Sequence, residues 1–355
     1  MELLMLFSNS AFVFMESHRI AIACTITAVC AFYAVRRWMR GARCQSKARL
    51  DGRTVLITGG NTGVGKETAR DLARRGARIL IAGRDLKRTN AAADEIRRTT
   101  GNDNVIVYNL DLASLKSVRE CAKEVLAKED RLDILINNAG VMITPIHWRT
   151  ADGFEMQMGT NHLGHFLFTN LLLDLIKRSA PSRIINVSSL GHSCTGELVN
   201  RGIHKQTSFH STDMDLDLDD LNSEKVDTVT AYGRSKLANI LFTRELHRRL
   251  KGSGVISVSL HPGAVATELY RYTGDHRLPF RLLITVFWAL YKHINKTPEE
   301  GAQTTLHCAL EPEVEQQSGK YFSDCAVKEP SRQAQDDVMA SKLWTLSEKL
   351  VGLTT

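Results

Sequence analysis

Tyr232 and Lys236 stand four positions apart in the stretch Ala231-Tyr232-Gly233-Arg234-Ser235-Lys236-Leu237-Ala238. On a helix that spacing puts both side chains on one face, a turn apart, so the ammonium can approach the phenol or a group that both touch. A free phenol titrates near about 10, too high for ready proton exchange at neutral pH, and a fixed positive charge beside it lowers that value. The pair is therefore suited to acid or base work by Tyr232. The same spacing also describes a surface Tyr and Lys on an amphipathic helix, so the chemistry depends on what the rest of the chain assembles around them.

A second group of residues could hold phosphate. In Thr58-Gly59-Gly60-Asn61-Thr62-Gly63-Val64-Gly65-Lys66-Glu67 the glycines let the backbone pass close to a pyrophosphate, and the N-terminus of a following helix stabilises its charge. Gly60 to Lys66 nearly matches the ATPase loop. Glu67, however, supplies no hydroxyl for magnesium and sets a carboxylate where phosphate charge would accumulate. The dinucleotide reading places Gly59, Asn61, Thr62, Gly63, Val64 and Gly65 against the ligand. Further on, Gly83-Arg84-Asp85 puts an arginine where an acidic residue would hold a free ribose hydroxyl, which favours NADP(H). The competing reading makes Arg84 a solvated strand-end residue and Asp85 a helix cap. Asp111 and Leu112, and then Asn138, Ala139 and Gly140, complete the expected cofactor contacts.

These residues need strands that end beside them and helices that begin there. Apolar runs at 53–58, 78–82, 105–108, 132–137, 183–187 and 255–260 are rich in Val, Ile and Leu, and helical spacing follows at 67–75, 86–98 and 115–128. Strands apolar on both faces, alternating with helices, predict a parallel sheet covered on both sides: a doubly wound α/β fold of Rossmann type. Asp111 and the Asn137-Asn138-Ala139-Gly140 turn then fall at carboxyl ends of strands, where such sheets bind ligands.

The chain has 355 residues, 43% of them hydrophobic, enough for a sizeable core. Its seven cysteines are scattered without metal-ligand spacing, which argues against a zinc site or a disulfide scaffold. His192, His204, His210 and the acidic run from Asp213 to Asp220 likewise read as a solvated loop, so no metal is expected. The net charge of +7 sits largely between Arg36 and Arg53, leaving no broad basic face for nucleic acid. That basic cluster follows the uncharged run from Ile20 to Val35, short for a bilayer span. Residues 1–45 are expected to form a membrane anchor and its basic flank, with the positive side in the cytosol and the endoplasmic reticulum as the expected membrane. Residues 46–355 form the second expected domain. Leu282 to Tyr291 is too short to span and suits either a pocket cover, a segment dipping into the membrane, or a buried core helix. Residues 335–353 read as a closing amphipathic helix.

The motifs Thr58-Gly-x-x-x-Gly-x-Gly65, Asn137-Asn-Ala-Gly140, Asn161, Ser189, Tyr232-x-x-x-Lys236 and His261-Pro-Gly263 together resemble the short-chain dehydrogenase/reductases over about residues 50–350. Stretches such as TNHLGHFLFTNLLL and SKLANILFTREL are similar to the membrane-anchored retinol dehydrogenases within that family. The resemblance implies that Tyr232 exchanges a proton with the carbonyl or alcohol oxygen and that Ser189 hydrogen-bonds the same oxygen. It implies that Lys236 binds the nicotinamide ribose and lowers the Tyr232 pKa, and that Asn161 helps hold a relaying water. Pro262, Gly263 and Thr267 resemble the turn at the nicotinamide end. Hydride transfer leaves developing alkoxide charge, which donors already aimed at that oxygen stabilise.

The chain departs from the retinol subgroup between Ser189 and Tyr232, where the segment from Gly196 to Asn222 is longer than the resemblance implies and is expected to lie over the substrate mouth. The expected activity is interconversion of an apolar alcohol with its aldehyde or ketone, retinol and retinal first. The alternatives are a keto-lipid or steroid reductase, and a membrane-tethered dinucleotide-binding protein without turnover.

Overall fold

The computed structural model describes residues 2–193, 216–270 and 295–354, the side chains of 2–17, 20 and 270 excepted. The expected loop between Ser189 and Tyr232, in large part, and the apolar segment Leu282 to Tyr291 lie outside the described residues.

Six strands form the parallel sheet: β1 (Thr54–Thr58), β2 (Arg78–Gly83), β3 (Val105–Asn109), β4 (Ile134–Asn137), β5 (Ser182–Val187) and β6 (Val255–His261). Two short strands, β7 (Tyr321–Ser323) and β8 (Ala326–Lys328), complete an eight-stranded order of β3-β2-β1-β4-β5-β6-β7-β8. Only the β7–β8 pair is antiparallel. Alternate residues of β1 show why both faces had to be apolar. Val55 and Ile57 enter one core, Leu56 enters the other, and all three are fully buried.

The first core is covered by α2 (Gly63–Arg74), α3 (Leu86–Thr100) and α7 (Pro298–Leu310). The second is covered by α4 (Leu115–Lys128), α5 (Gly164–Arg178), α6 (Thr228–Arg249) and the closing α8 (Asp337–Leu350). Local chemistry starts most of these helices. Asp85 accepts from Arg88 N at 3.1 Å to cap α3, which ends at Gly101 in the left-handed region. Asp227 caps α6 through Val229 N and Thr230 N, and Thr297 with Glu300 forms a reciprocal capping box on α7. Thr62, before α2, makes no side-chain cap, so the first N–H groups of that helix remain directed at the crevice.

The strand order reverses between β1 and β4, which share one edge of hydrogen bonding in the middle of the sheet. This switch point opens a crevice above the strand ends, the position the ligand-binding motifs require. Helix α5 is entered through a π-helical turn, Gly159–Leu163, which carries Asn161. Such turns insert one residue into the helical ladder and recur at functional sites.

Ahead of the sheet stands α1 (Glu2–Arg40). Its stretch Ala21–Arg40 is long and apolar enough to cross a membrane, and none of it is buried in the protein. Residues 41–50 then run without regular structure to the first strand.

Candidate active site

A crevice of about 500 Å³ lies over the carboxyl ends of the central strands. Gly59, Asn61, Thr62, Gly63, Val64 and Gly65 line it, as do Arg84, Asp111, Leu112, Asn138, Ala139 and Gly140. Ser189, Tyr232, Lys236, Pro262, Gly263 and Thr267 complete the same wall. Of the expected catalytic and cofactor-contact residues, Asn161 alone stands behind the lining.

The glycines are required by close approach. A methyl group on Gly65 would meet Gly59 O at 2.5 Å and Asn138 Nδ2 at 2.4 Å, and Gly59, at φ 67°, would press on the Ala139 backbone at 2.9 Å. The β1–α2 turn and the Asn138-Ala139-Gly140 turn are thus pressed together. Thr58 locks them: its hydroxyl accepts from Asn138 N and Ala139 N, both at 3.0 Å, and donates to His165 Nε2 at 2.8 Å. His165 Nδ1 in turn donates to Asn161 O at 3.0 Å, so the hydrogen-bond pattern assigns this imidazole as neutral with its proton on Nδ1. Burial pushes its pKa down to about 4.

The ATPase alternative finds no support in the geometry. Lys66 turns away from the crevice and pairs with Glu95 at 2.6 Å, while Glu67 pairs with Arg70. With its uncapped helix start, close glycine contacts and no acidic residue in the first turn of α2, the crevice fits a pyrophosphate. Arg84 is exposed at its outer end and makes no ion pair among the described residues, whereas Asp85 is engaged as the α3 cap.

At the inner end, Tyr232 is buried and hydrogen-bonded to Ser189. Ser188 points elsewhere, its hydroxyl donating to Lys236 O at 2.7 Å. The two adjacent serines are separated by geometry, and Ser189 is the one that faces the phenol. Lys236 Nζ donates to Val187 O at 3.1 Å and stands 5.8 Å from the Tyr232 ring centre. The expectation that Lys236 lowers the Tyr232 pKa is not met in this geometry. Burial pushes the phenol up to about 12, against a smaller lowering by Ser189, and burial also brings the Lys236 ammonium down to about 8. Desolvation disfavours both charged forms, and at this separation it outweighs their mutual attraction.

Asn161 is committed within the protein. Its Oδ1 accepts from Val141 N at 2.9 Å, and its Nδ2 donates to Val141 O at 3.0 Å and to Ser235 Oγ at 2.9 Å. The side chain therefore braces the Gly140-Val141 turn against α6.

Several contacts around the crevice could not be read from the sequence. His261 Nδ1 accepts from Leu190 N at 3.2 Å and fixes the backbone just after Ser189. His192 accepts from Ser331 N through Nε2 and donates through Nδ1 to Ser189 O at 2.6 Å, fixing it from the other side. Arg88 on α3 and Glu268 after β6 meet across the crevice with both carboxylate oxygens at 2.7 Å. Each of these depends on a tertiary partner far away in sequence. Among the described residues no three His, Cys, Asp or Glu side chains gather as a metal site. The described cysteines are free thiols.

A short chain dehydrogenase family model matches residues 53–197. Human retinol dehydrogenase 13 is 50% identical over 323 residues, 90% of either chain, and human retinol dehydrogenase 11 is 49% identical over 320 residues, 90% of this chain and 92% of that one. Among solved structures, a putative uncharacterized protein from Mycobacterium paratuberculosis superposes with a TM-score of 0.64 at 34% identity, covering 88% of this chain and 98% of its own. The Pseudomonas aeruginosa RhlG/NADP active-site complex gives 0.56 at 25% identity, covering 77% and 95%. Taken with a switch-point crevice that gathers the Gly-rich turn, Ser189, Tyr232 and Lys236, these likenesses establish that the chain belongs to the short-chain dehydrogenase/reductase family of nicotinamide-dependent alcohol and carbonyl oxidoreductases, in its retinol dehydrogenase subgroup.

Proposed function

We propose that this protein is a membrane-anchored, NADP(H)-dependent oxidoreductase that interconverts an apolar alcohol and its aldehyde or ketone, with retinol and retinal as the first pair. The observation that carries this reading is the convergence of Ser189, Tyr232 and Lys236 at the inner end of a crevice whose outer end holds an exposed arginine. The names of the relatives, retinol dehydrogenases 13 and 11, support the substrate class.

In this reading the N-terminus of α2 and the turn Gly59–Gly65 hold the pyrophosphate, Arg84 takes the 2′-phosphate, and Lys236 holds the nicotinamide ribose. Asn138 to Gly140 and Pro262, Gly263 and Thr267 wall the inner end. The bound nicotinamide supplies or accepts hydride. Ser189 donates a hydrogen bond to the substrate oxygen and orients it toward Tyr232. In reduction the phenol gives its proton to that oxygen; in oxidation the phenolate takes it back. Buried Lys236, when protonated, brings positive charge to the inner end of the crevice.

The test is turnover of retinol and retinal in membranes containing the full chain, with NADP(H) and NAD(H) in parallel, for the unmodified protein and for Arg84→Ala. The expected result is retinoid turnover with a preference for NADP(H) that Arg84→Ala removes by raising the KM for NADPH about tenfold or more, the loss of a charge-assisted phosphate contact, while leaving NADH nearly unchanged. Equal losses for both cofactors would remove the phosphate assignment. No turnover across retinoids, lipid aldehydes and keto-steroids would remove the enzymatic one.

A further inference from the structure

The last turn of α1 has two faces with different partners. Arg36 and Arg40, one helical turn apart, close on a single carboxylate: Arg36 Nη2 lies 2.7 Å from Glu300 Oε2 and Arg40 Nε 3.1 Å from Glu300 Oε1. Glu300 is itself buried and is the third-position partner of the capping box of α7, where it also accepts from Thr297 N at 2.9 Å. Between these arginines, Arg37 and Trp38 point outward, and Trp38 is 79% exposed. Arg43 and Lys47 are also exposed, and neither they nor Arg37 has an ion-pair partner among the described residues.

The chain then stays on the protein. Cys44 N donates to Gln303 Oε1 at 3.1 Å, and Cys325 Sγ lies 3.8 Å from Ala42 O. Gly41, the first residue past the helix, is packed so closely that a methyl group there would stand 2.7 Å from Lys296 Nζ. The same nitrogen would stand 2.9 Å from a methyl group on Gly263, in the wall at the inner end of the crevice. One buried ammonium, paired with Asp324, therefore separates the end of the apolar helix from the proposed nicotinamide end of the site. There is no slack linker between them.

We propose that this turn is a joint that seats the catalytic domain on an anionic lipid surface: Arg36 and Arg40 grip α7 through Glu300, while Arg37, Arg43, Lys47 and Trp38 face the headgroups. The inference rests on the membrane-anchored reading above and adds the posture. A tryptophan beside cations at the end of an apolar helix is the arrangement that settles at headgroup level, and exposed Lys and Arg there are drawn to acidic lipids. With the joint rigid, the inner end of the crevice is held next to the bilayer, and an apolar substrate reaches it from the lipid without crossing bulk water.

The experiment uses the full chain in vesicles of phosphatidylcholine alone or with phosphatidylserine. It compares kcat/KM for an apolar aldehyde dissolved in the bilayer with that for a short water-soluble aldehyde. Arg36→Gln/Arg40→Gln is expected to stay in the vesicle pellet and to keep turnover of the soluble aldehyde, while turnover of the bilayer-held one falls several-fold. Arg37→Gln/Arg43→Gln/Lys47→Gln is expected to erase the preference for phosphatidylserine. Should the double variant misfold, Glu300→Gln, which still caps α7, is read by the same ratio. An unchanged ratio together with an unchanged lipid preference would overturn the joint. An unmodified chain that does not pellet with vesicles would overturn anchoring itself, a separate outcome.

Discussion

Tyr232 and Lys236 pull the active site in opposite directions along the pH scale, one held protonated up to about 12 and the other losing its proton near about 8. For carbonyl reduction the phenol must carry its proton and Lys236 its charge, so both conditions hold below about 8 and the second fails above it. Reduction is therefore expected to be level in pH up to that value and to decline above it, a profile measured as log kcat/KM against pH. Tyr232→Phe keeps the ring and removes the transferable proton. Activity should fall by about 100-fold or more, the scale of a lost general acid, while dinucleotide binding changes little, which fluorescence titration can check. A Phe variant with near-normal turnover would mean that another group moves the proton. At this scale the sequence was legible where identity and spacing suffice, as for Tyr232 and Lys236. The resemblance alone picked out Ser189; only the direction of each hydroxyl in the folded chain distinguishes it from Ser188. The sequence was misleading about Tyr232's acidity, because burial is a property of the surroundings and not of the motif.

Elements position these groups through their ends. The six parallel strands could be read because they are apolar toward both faces, fully buried in β1 and β4 and partly so in the edge strand β3, and the helices between them because their apolar spacing is regular. Helix α2 starts at Gly63, four residues before the apolar spacing begins at Glu67, since its first turn lines the crevice and only Val64 of it also joins the core. Strand β4 runs from Ile134; just before it the Asp133 backbone still donates to Thr54 O at 2.9 Å and accepts from Arg183 N at 2.8 Å, while its carboxylate accepts from Arg53, Arg131 and Thr54 N. Strands β7 and β8, three residues each, exist because β6 offers an edge, which no local pattern announces. The crowding of the β1–α2 turn gives a prediction of its own. Gly65→Ala would drive a methyl group into Gly59 O and Asn138 Nδ2, forcing apart the two turns that line the crevice. The cost should be about 1–3 kcal/mol of folding stability, the usual range for overpacking. Dinucleotide affinity should drop further still, because the displaced backbone is the binding surface. Thermal melts with and without NADPH separate the two effects: the melting point without cofactor falls modestly, and the upward shift given by cofactor nearly vanishes. An unaltered cofactor shift would place the pyrophosphate elsewhere.

Across the whole molecule, three neutral imidazoles fasten elements that are remote in sequence. His165 joins β1 to the π-helical turn through Thr58 and Asn161, His162 reaches Ser347 on α8 at 3.0 Å, and His261 ties β6 to the backbone after Ser189. Burial holds their pKa values down to about 4, about 3 and about 4 respectively, against 6.5 for an unburied histidine. As pH falls below 6.5, the unfolded chain takes up protons at these positions while the folded chain does not. The stability they permit is thus complete above that pH and is lost progressively as pH falls toward their folded values, with a slope of up to about 1.4 kcal/mol per pH unit for each group. Carboxylates held low by their partners, such as Asp133 with Arg131 and Arg53, begin to cost stability only at lower pH, near their ordinary value of 3.8. The two windows are therefore separable. Urea midpoints measured from pH 7 downward should begin to drop near pH 6, above the carboxylate range. His165→Gln, which removes one of these imidazoles, should start from a lower midpoint at pH 7 and lose less between pH 7 and 5 than the unmodified chain. A midpoint level down to pH 4.5 would mean that the imidazoles take up protons in the folded protein as readily as in the unfolded chain, and that the network from Thr58 to Asn161 opens to water.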